Sequence, residues 1–308
     1  MSLIHRLFNI YLGVPTALLG VFASFLSLGF FWNDSTTFLG TRILLFSVSV
    51  TDTGYLSLHS FYHLAENLIP DSTLTQVAII QAVSFYALNV FELARNWLLV
   101  MVALERLLFF LRPNDFPQRW TATMFGAAET VVMVAVLLMG VPSLLFKLPN
   151  VSSSTERVYE MAHMLVKCFF VAILPISSMI VLFLATKPHV NKAALKHSEI
   201  CNETDGNAKH VMSILQMILV TFTAFAMPCF FSSALHFYCQ FNQLCTSVAM
   251  DTLEDGVSSI ANYFSIITST SNFFIYILQS KGYRRRLIHM LHLQQYQWFR
   301  AHNDGGVK

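Results

Sequence analysis

Seven long apolar runs constrain this chain more than any other feature. They cover residues 8–32, 42–63, 74–108, 121–146, 161–186, 209–238 and 256–280. A helix that crosses a bilayer needs about 20 predominantly apolar residues, and each run is long enough. Hydrophobic residues make up 55% of the sequence and charged residues only 12%, against about 25% charged in soluble domains. We therefore expect an all-α membrane protein, a seven-transmembrane helix bundle forming one domain over residues 1–308.

The basic residues are distributed unevenly among the connectors between these runs. If the N-terminus is extracellular, fourteen Lys and Arg residues lie on the cytoplasmic side and three on the outer side. Lys and Arg are enriched in cytoplasmic connectors, so we expect an extracellular N-terminus and a cytoplasmic C-terminus. The first run is too long for the apolar core of a cleavable signal peptide and is expected to remain as a membrane helix.

The segment after the last run predicts a short amphipathic helix over about residues 281–297. Tyr283, Leu287 and Leu291 are spaced four residues apart, with basic residues between them. A basic amphipathic helix of this kind lies on the anionic inner leaflet of a membrane. The alternative is a disordered basic tail.

Five local motifs occur in the expected runs and in the expected order. They are Leu44 to Asp52 in the second run, Glu105-Arg106 with Pro113 after the third, Pro175 in the fifth, Phe222 to Pro228 in the sixth, and Asn272 to Tyr276 in the seventh. Together they resemble the motifs of rhodopsin-like G-protein-coupled receptors, and the resemblance extends over nearly the whole chain. Phe273, in place of the family's proline, is most similar to the FMRFamide-receptor-like branch of invertebrate neuropeptide receptors, which includes nematode members.

The resemblance implies a plasma-membrane receptor that passes an extracellular signal to a heterotrimeric G protein. It assigns activation and coupling to Glu105, Arg106, Pro228 and Tyr276. A neuropeptide is the ligand that the resemblance favours. The alternative within the class is a chemosensory receptor for a small molecule on the same scaffold.

Several positions depart from the family pattern. Gln81 stands where the third helix usually has a cysteine, and the loop over 147–160 has none, so the usual disulfide cannot form. Ala226 replaces a tryptophan that the family uses in activation. Cys239 and Cys245 are close enough in sequence to form a small disulfide ring in an oxidising compartment, the alternative being two free thiols. Among the glycosylation motifs, the predicted topology leaves only Asn150 outside.

Charged residues inside the predicted membrane helices need partners, because a charge at the bilayer centre costs about 2.5–3.5 kcal/mol. By the resemblance, Asp52 and Arg95 face one small pocket near Asn272, and we expect Asp52 and Arg95 to form a buried ion pair. Glu92 lies three residues before Arg95, within reach on one helix face. The predicted buried charge network is therefore Asp52, Glu92, Arg95 and Asn272.

The resemblance also places an extracellular-facing pocket between the outer halves of the helices. The ligand-binding residues predicted for it are Glu92, Lys167, His163, His236 and Asn89. The alternative is that Glu92 only completes the network with Arg95 and that Lys167 extends outward. For the outer histidines, pocket lining is favoured over metal binding or pH sensing.

Other classes of function have weaker sequence support. The cysteines and histidines have no zinc-ligand spacing, and no nucleophile elbow or phosphate-binding loop is present in the sequence. We therefore expect no enzyme activity, no metal, no cofactor and no nucleic-acid partner, with membrane lipid, ligand and G protein as the partners. The rival from another class is a transporter or lipid scramblase with a polar path through Asp52, Glu92 and Arg95, although inverted repeats and paired broken helices are missing from the sequence.

Overall fold

The computed structural model describes residues 3–33, 38–68, 75–111, 121–147, 153–198, 205–242 and 248–279, together with Arg284, Leu287 and Ile288. Every one of these residues except Phe38 and Thr121 is helical. The described chain forms seven continuous helical stretches, which we number α1 to α7. They are α1 Leu3–Asn33, α2 Leu39–Leu68, α3 Thr75–Leu111, α4 Ala122–Lys147, α5 over 153–198, α6 Asp205–Asn242 and α7 Val248–Gln279.

Five of the seven helices contain segments that are long and apolar enough to cross a membrane. These segments are Leu3–Asn33, Ala78–Leu111, Ala122–Leu145, Arg157–His189 and Leu219–Cys239. The structure therefore confirms a helical protein with several helices suited to a membrane. The helices outside this set, α2 and α7, carry more polar side chains. Many of those polar side chains are buried in the bundle, including Asp52 and His59 of α2 and Ser265 and Asn272 of α7.

The helices extend beyond the predicted boundaries at most ends. The fifth run was predicted over 161–186, but α5 comprises Ser153–Val166, Lys167–Ile173 and Leu174–Ser198. An apolar run marks only the part that hydrocarbon can surround, whereas helical hydrogen bonding continues through flanking polar turns. The predicted surface helix over 281–297 falls outside the described residues, apart from the helical Arg284, Leu287 and Ile288.

Hydrogen bonds between helices show which ends of the bundle lie together. Thr41, near the start of α2, donates to Glu105, near the end of α3, so these two neighbours run in opposite directions. Cys229 of α6 donates to the Ala261 carbonyl of α7, and His236 of α6 contacts Glu254 of α7. Glu160, near the start of α5, lies 3.1 Å from the same His236 side chain, and Phe85 of α3 lines one cavity with it. Consequently α3, α5 and α7 begin at the end of the bundle where α6 finishes.

The apolar core consists of side chains from the helices that surround α3. Leu98 and Leu99 of α3 pack with Leu44 of α2 and Phe222 of α6, all of them nearly inaccessible to solvent. By contrast α4 exposes long apolar side chains such as Leu138, 67% of which is exposed. An apolar outer surface around a packed centre is the pattern expected of helices that face lipid.

Two segments have π-helical rather than α-helical hydrogen bonding, Arg6–Leu12 in α1 and Lys167–Ile173 in α5. Such segments are uncommon in proteins, and those that occur are often found at functional sites. The second one contains Lys167 and lies against α3. It therefore contributes directly to the site described next.

Candidate functional site

A cavity of about 330 Å³ lies between α3, α5, α6 and α7, toward the end of the bundle where α6 finishes. This volume is within the usual range of small-ligand sites. Charged and polar side chains form much of its lining. The residues that line it are Phe85, Glu92, Glu160, Met164, Lys167, Val171, Cys229, Ser232, Ser233, His236, Glu254, Asp255, Ser258, Ala261 and Asn262.

A histidine with a carboxylate at each ring nitrogen joins three helices at the outer part of the cavity. His236 of α6 contacts Glu254 of α7 through Nδ1, and its Nε2 lies 3.1 Å from Glu160 Oε1 of α5. His236 therefore joins α5, α6 and α7 through two acidic side chains.

Glu92 forms the inner part of the cavity and is buried. Its Oε1 accepts a 2.6 Å hydrogen bond from the Ser265 hydroxyl of α7, and its Oε2 lies 4.0 Å from Lys167 Nζ of α5. The structure thus brings together Glu92, Lys167 and His236 of the five predicted ligand residues. Lys167 lines the cavity. Its side chain therefore does not extend outward from the bundle, as the alternative interpretation required.

His163 and Asn89, the other two predicted ligand residues, lie outside the cavity lining. His163 is buried and packs its ring against Phe85, with ring centroids 5.3 Å apart. The Asn89 amide donates a 2.6 Å hydrogen bond to the Phe85 carbonyl of its own helix. Both residues thus contact Phe85, which does line the cavity, and the prediction that they bind a ligand stays a prediction.

The outer histidines do not form one cluster. His59 and His63 of α2 pack against each other, with ring centroids 4.4 Å apart, and His63 also contacts His5 of α1 at 5.5 Å. This group lies between α1 and α2, whereas His236 is among α5, α6 and α7. Sequence position along the helices could not separate them, because it gives depth in the membrane but not the side of the bundle.

Arg95 lies at the centre of the bundle and is only 2% exposed. Its guanidinium donates to the Ser265 carbonyl at 3.1 Å, to the Ser265 hydroxyl at 3.2 Å and to the Ser269 hydroxyl, all on α7. It also donates through Nε to Asn96 and lies over the Tyr55 ring of α2, 5.2 Å from its centroid. Five contacts with hydroxyl, carbonyl, amide and aromatic groups take the place of an ion-pair partner.

The predicted Asp52–Arg95 ion pair is wrong. Asp52 Oδ2 accepts a 2.8 Å hydrogen bond from the Asn272 amide, while Oδ1 has no hydrogen-bond partner in the described part of the chain. The Arg95 charge still acts on Asp52, and Ser269 lies close to both groups. In place of the ion pair, three guanidinium N–H groups bond Ser265 and Ser269.

The π-helical segment of α5 presents two backbone carbonyls to α3. Leu174 N–H bonds to the Phe169 carbonyl, five residues back, and so leaves the Phe170 carbonyl without its usual α-helical donor. The Val171 carbonyl would bond residue 175, which is proline and has no N–H. Trp97 Nε1 donates to the Phe170 carbonyl at 3.1 Å, and Asn96 Nδ2 donates to the Val171 carbonyl at 2.8 Å.

Sequence reasoning missed several polar residues of the cavity, chiefly Glu160, Glu254 and Asp255. The apolar pattern predicts that the fifth and seventh helices begin at residues 161 and 256, which assigns these acidic residues to the connectors. In the structure α5 and α7 begin earlier, and the three carboxylates are on the first helical turns that reach the cavity. Continuing each helix outward past the apolar run would have found them.

The opposite end of α3 carries the predicted coupling residues. Glu105 is 1% exposed, and its Oε1 accepts a 2.6 Å hydrogen bond from Thr41 of α2. Arg106 Nε lies 3.2 Å from Glu105 Oε2, and a quarter of the arginine side chain is exposed. Pro228 is inside α6, and Tyr276 is in α7, with its side chain outside the described part. Glu105 and Arg106 are thus brought together, away from the cavity.

Two predicted modifications concern residues near or outside the described ranges. Cys239 is disulfide-bonded, while Cys245, its predicted partner, lies outside the described residues. Asn150, the predicted glycosylation site, also lies outside them. The pairing and the glycan therefore stay predictions.

Comparison with known proteins adds no relative: no protein-family model matches the chain, and no curated protein matches it. Within the residues that the structure describes, no three His, Cys, Asp or Glu side chains are arranged to hold a metal ion. The functional argument consequently depends on the cavity, the buried network and the Glu105–Arg106 pair.

Proposed function

We propose that the chain is a seven-helix receptor of the rhodopsin-like kind, which binds an extracellular ligand in the cavity and activates a heterotrimeric G protein at its other end. One observation carries the proposal: α3 links three polar sites in series. Glu92 faces the cavity, Arg95 is held by α7 three residues later, and Arg106 lies at the far end beside Glu105. A single rigid helix therefore connects a ligand-sized cavity with an exposed cation.

The contacts of α3 provide a route by which ligand binding changes the far end. Ser265 of α7 bonds both Glu92 and Arg95. A ligand that bonds the Glu92 carboxylate therefore changes the contacts between α3 and α7. A ligand that binds one arrangement of these helices more tightly shifts the population toward it. In this mechanism the favoured arrangement exposes Arg106 to the G protein.

We further propose that α2 and α7 cross the membrane with the five apolar helices. Their polar side chains face the bundle, where Asp52 is paired with Asn272 and Ser265 with Glu92. Buried and satisfied polar groups are the form in which such residues occur inside membranes. In this arrangement the receptor is in the plasma membrane, with an extracellular N-terminus, a cytoplasmic C-terminus and an amphipathic helix after α7 on the inner leaflet. The proposed ligand is a neuropeptide.

The interior supports a receptor rather than a transporter or scramblase. The space beside Glu92 and Arg95 is about 10 Å³, which is at or below the room that one water molecule requires. Phe222 and Ala226 of α6 help to close it. A conducting polar path would need wider space at this level.

The proposal is tested by Arg106→Ala in cells that express the full chain. Arg106 is partly exposed, and among the described residues its ion pair is with its neighbour Glu105, so the substitution should leave folding and surface expression near the wild-type level. G-protein activation, measured as nucleotide exchange in membranes, should be abolished both with ligand and without it. Neuropeptides and small amines serve as the two ligand panels.

Arg157→Ala is the matched control, because Arg157 is exposed near the start of α5, at the cavity end of the bundle. It should preserve signalling. Undiminished nucleotide exchange in Arg106→Ala at normal surface expression would contradict the proposed coupling. Ligand-independent substrate uptake by proteoliposomes would favour transport instead.

A further inference from the structure

Three histidines pack together where α1 begins and α2 finishes, outside the cavity. The His63 ring of α2 contacts the His59 ring one turn away, with centroids 4.4 Å apart, and the His5 ring of α1, with centroids 5.5 Å apart. None of the three lines the cavity, so ligand contact there does not account for them. Histidine is the side chain whose charge changes most readily near neutral pH.

His59 is the most deeply buried of the three and has two ring nitrogens without a partner. Its side chain is 2% exposed, and neither Nδ1 nor Nε2 makes a hydrogen bond with any described residue. A neutral ring in this position loses hydrogen bonds to water, whereas a protonated ring would add a buried charge with no acceptor for either N–H. The surroundings of His59 therefore suit the neutral ring.

No opposite charge compensates a proton on His59. Within the described part of the chain, the charged groups that act on His59 are His63 and His5, and no carboxylate is among them. On α7 the acidic residue one turn before Ser259 is Asp255, and Ser259 contacts His5 Nδ1 at 3.3 Å. Like charges at these separations disfavour each other. A second proton in the group therefore meets repulsion instead of a counter-ion.

Tyr55 connects the histidines to the buried charge network. His59 packs against the Tyr55 ring, with centroids 6.1 Å apart, and the Arg95 guanidinium lies 5.2 Å from the centroid of that same ring. Tyr263 of α7 and Phe91 of α3 pack around this tyrosine. A cation is attracted to the face of an aromatic ring. A charge on His59 would therefore act on a ring that already holds Arg95.

An acceptor for one added proton lies beside the histidine nearest the surface. His5 is partly exposed, so water reaches it. Asn9 of α1 is 0% exposed, its Nδ2 lies 3.2 Å from His5 Nδ1, and its Oδ1 has no hydrogen-bond partner among the described residues. Rotating the Asn9 amide by half a turn presents Oδ1 to a protonated His5. The first proton thus has both an entry and an acceptor.

We propose that His5, His63 and His59 form a proton-binding site that controls the packing of α1 on α2. At neutral pH the three rings pack uncharged. On acidification His5 takes a proton from water and donates the new N–H to Asn9, and a further proton on His63 or His59 then separates the two helices by repulsion. The inference goes beyond the proposed function, because it needs neither a ligand nor a G protein.

The test measures thermal unfolding of the purified full chain in lipid nanodiscs at about pH 7.5 and about pH 5.5. Imidazole in water titrates at about 6.5, so the unfolded chain takes up protons across this interval. Each ring that stays neutral in the folded chain shifts the folding equilibrium about ten-fold toward the unfolded form. The unfolding midpoint of the wild type should therefore fall on acidification.

Variants assign that fall to the three histidines. His59→Phe retains a ring of similar size but cannot take a proton, so its midpoint should fall less than that of the wild type. His163→Phe is the matched control, since His163 is also buried and packs against Phe85 on the other side of the bundle, and it should keep the wild-type fall. His5→Gln changes a partly exposed residue. It should reduce the fall as well, and it keeps the test valid where His59→Phe does not fold.

Hydrogen–deuterium exchange locates the change. After correction for the chemical exchange rate, the amides of residues 3–13 in α1 should exchange faster at about pH 5.5 than at about pH 7.5 in the wild type, but not in His5→Gln. A wild-type midpoint that is equal at both pH values would overturn the inference. So would an equal fall in the histidine-site variants and in His163→Phe, or faster exchange spread equally over all helices. The proposed function fails separately, through normal signalling by Arg106→Ala.

Discussion

Ser265 contacts both members of the buried charge network. Its hydroxyl donates to Glu92 at 2.6 Å and accepts from the Arg95 guanidinium at 3.2 Å, and its carbonyl accepts a second bond from Arg95. A hydroxyl can serve as donor and acceptor at once. It therefore joins an anion and a cation of α3 to α7 although these two groups are not an ion pair.

We predict that Ser265→Ala lowers stability by about 1–3 kcal/mol, because Glu92 loses a buried donor and Arg95 a buried acceptor. Thermal unfolding of the detergent-solubilised chain measures the change. Ser271→Ala is the control on the same helix, since that hydroxyl bonds only the Thr268 carbonyl one turn back, and it should change the midpoint little. Equal midpoints for the two variants would show that the network contributes nothing to stability.

The identity of the buried charges could be predicted from the sequence, but their partners could not. Asp52, Glu92 and Arg95 stand out because ionised residues are rare in apolar runs. Ser265 and Ser269 do not stand out in the sequence, because serine is common in membrane helices and no spacing distinguishes the serines that face Arg95. The expected Asp52–Arg95 pair was wrong for this reason: opposite charges were matched without counting the hydroxyls of α7.

The π-helical segment of α5 shows how one element is adapted to its neighbour. Its register and Pro175 together release the Phe170 and Val171 carbonyls, and α3 supplies Trp97 and Asn96 as donors to them. Buried carbonyls without donors would be costly inside a membrane. The segment and the two side chains therefore stabilise each other, and they hold Lys167 at the cavity.

Trp97→Phe should remove the donor to Phe170 while retaining an aromatic ring of similar position. We expect a loss of about 1–3 kcal/mol from the unpaired carbonyl, read as a lower unfolding midpoint in detergent. Trp32→Phe is the matched control, because Trp32 is 73% exposed on α1, and it should leave the midpoint unchanged. If both variants unfold at the wild-type temperature, the Trp97 bond does not stabilise α5.

The existence and order of the helices could be predicted better than their ends. Each of the seven apolar runs matches a described helix and extends past it by no more than one residue, because apolarity over about 20 residues is a strong signal. The first turns of α5 and α7 were missed, since Glu160 and Glu254 interrupt the apolar pattern. Those polar turns form the outer part of the cavity, so the least predictable part of each helix contains the site residues that were overlooked.

The molecule as a whole has two different ends joined by α3. The acidic cavity lies where α3, α5 and α7 begin, and the Glu105–Arg106 pair lies where α3 finishes and α2 begins. Of the basic residues expected on the cytoplasmic side, Arg42, next to Thr41, and Arg106 lie at the second end. The proposed receptor function requires that the cavity end faces outward.

Glycosylation tests that orientation. α5 begins at the cavity end of the bundle and finishes at the other end. The proposed orientation therefore predicts that Asn150, in the connector before α5, is lumenal and that Asn202, in the connector after α5, is cytoplasmic. Only sequons that enter the secretory lumen receive glycan. Glycosidase treatment of the chain from eukaryotic cells should therefore increase the gel mobility of wild type and of Asn202→Gln, but not that of Asn150→Gln. A shift that disappears in Asn202→Gln would put the cavity on the cytoplasmic side, where no extracellular ligand could reach it.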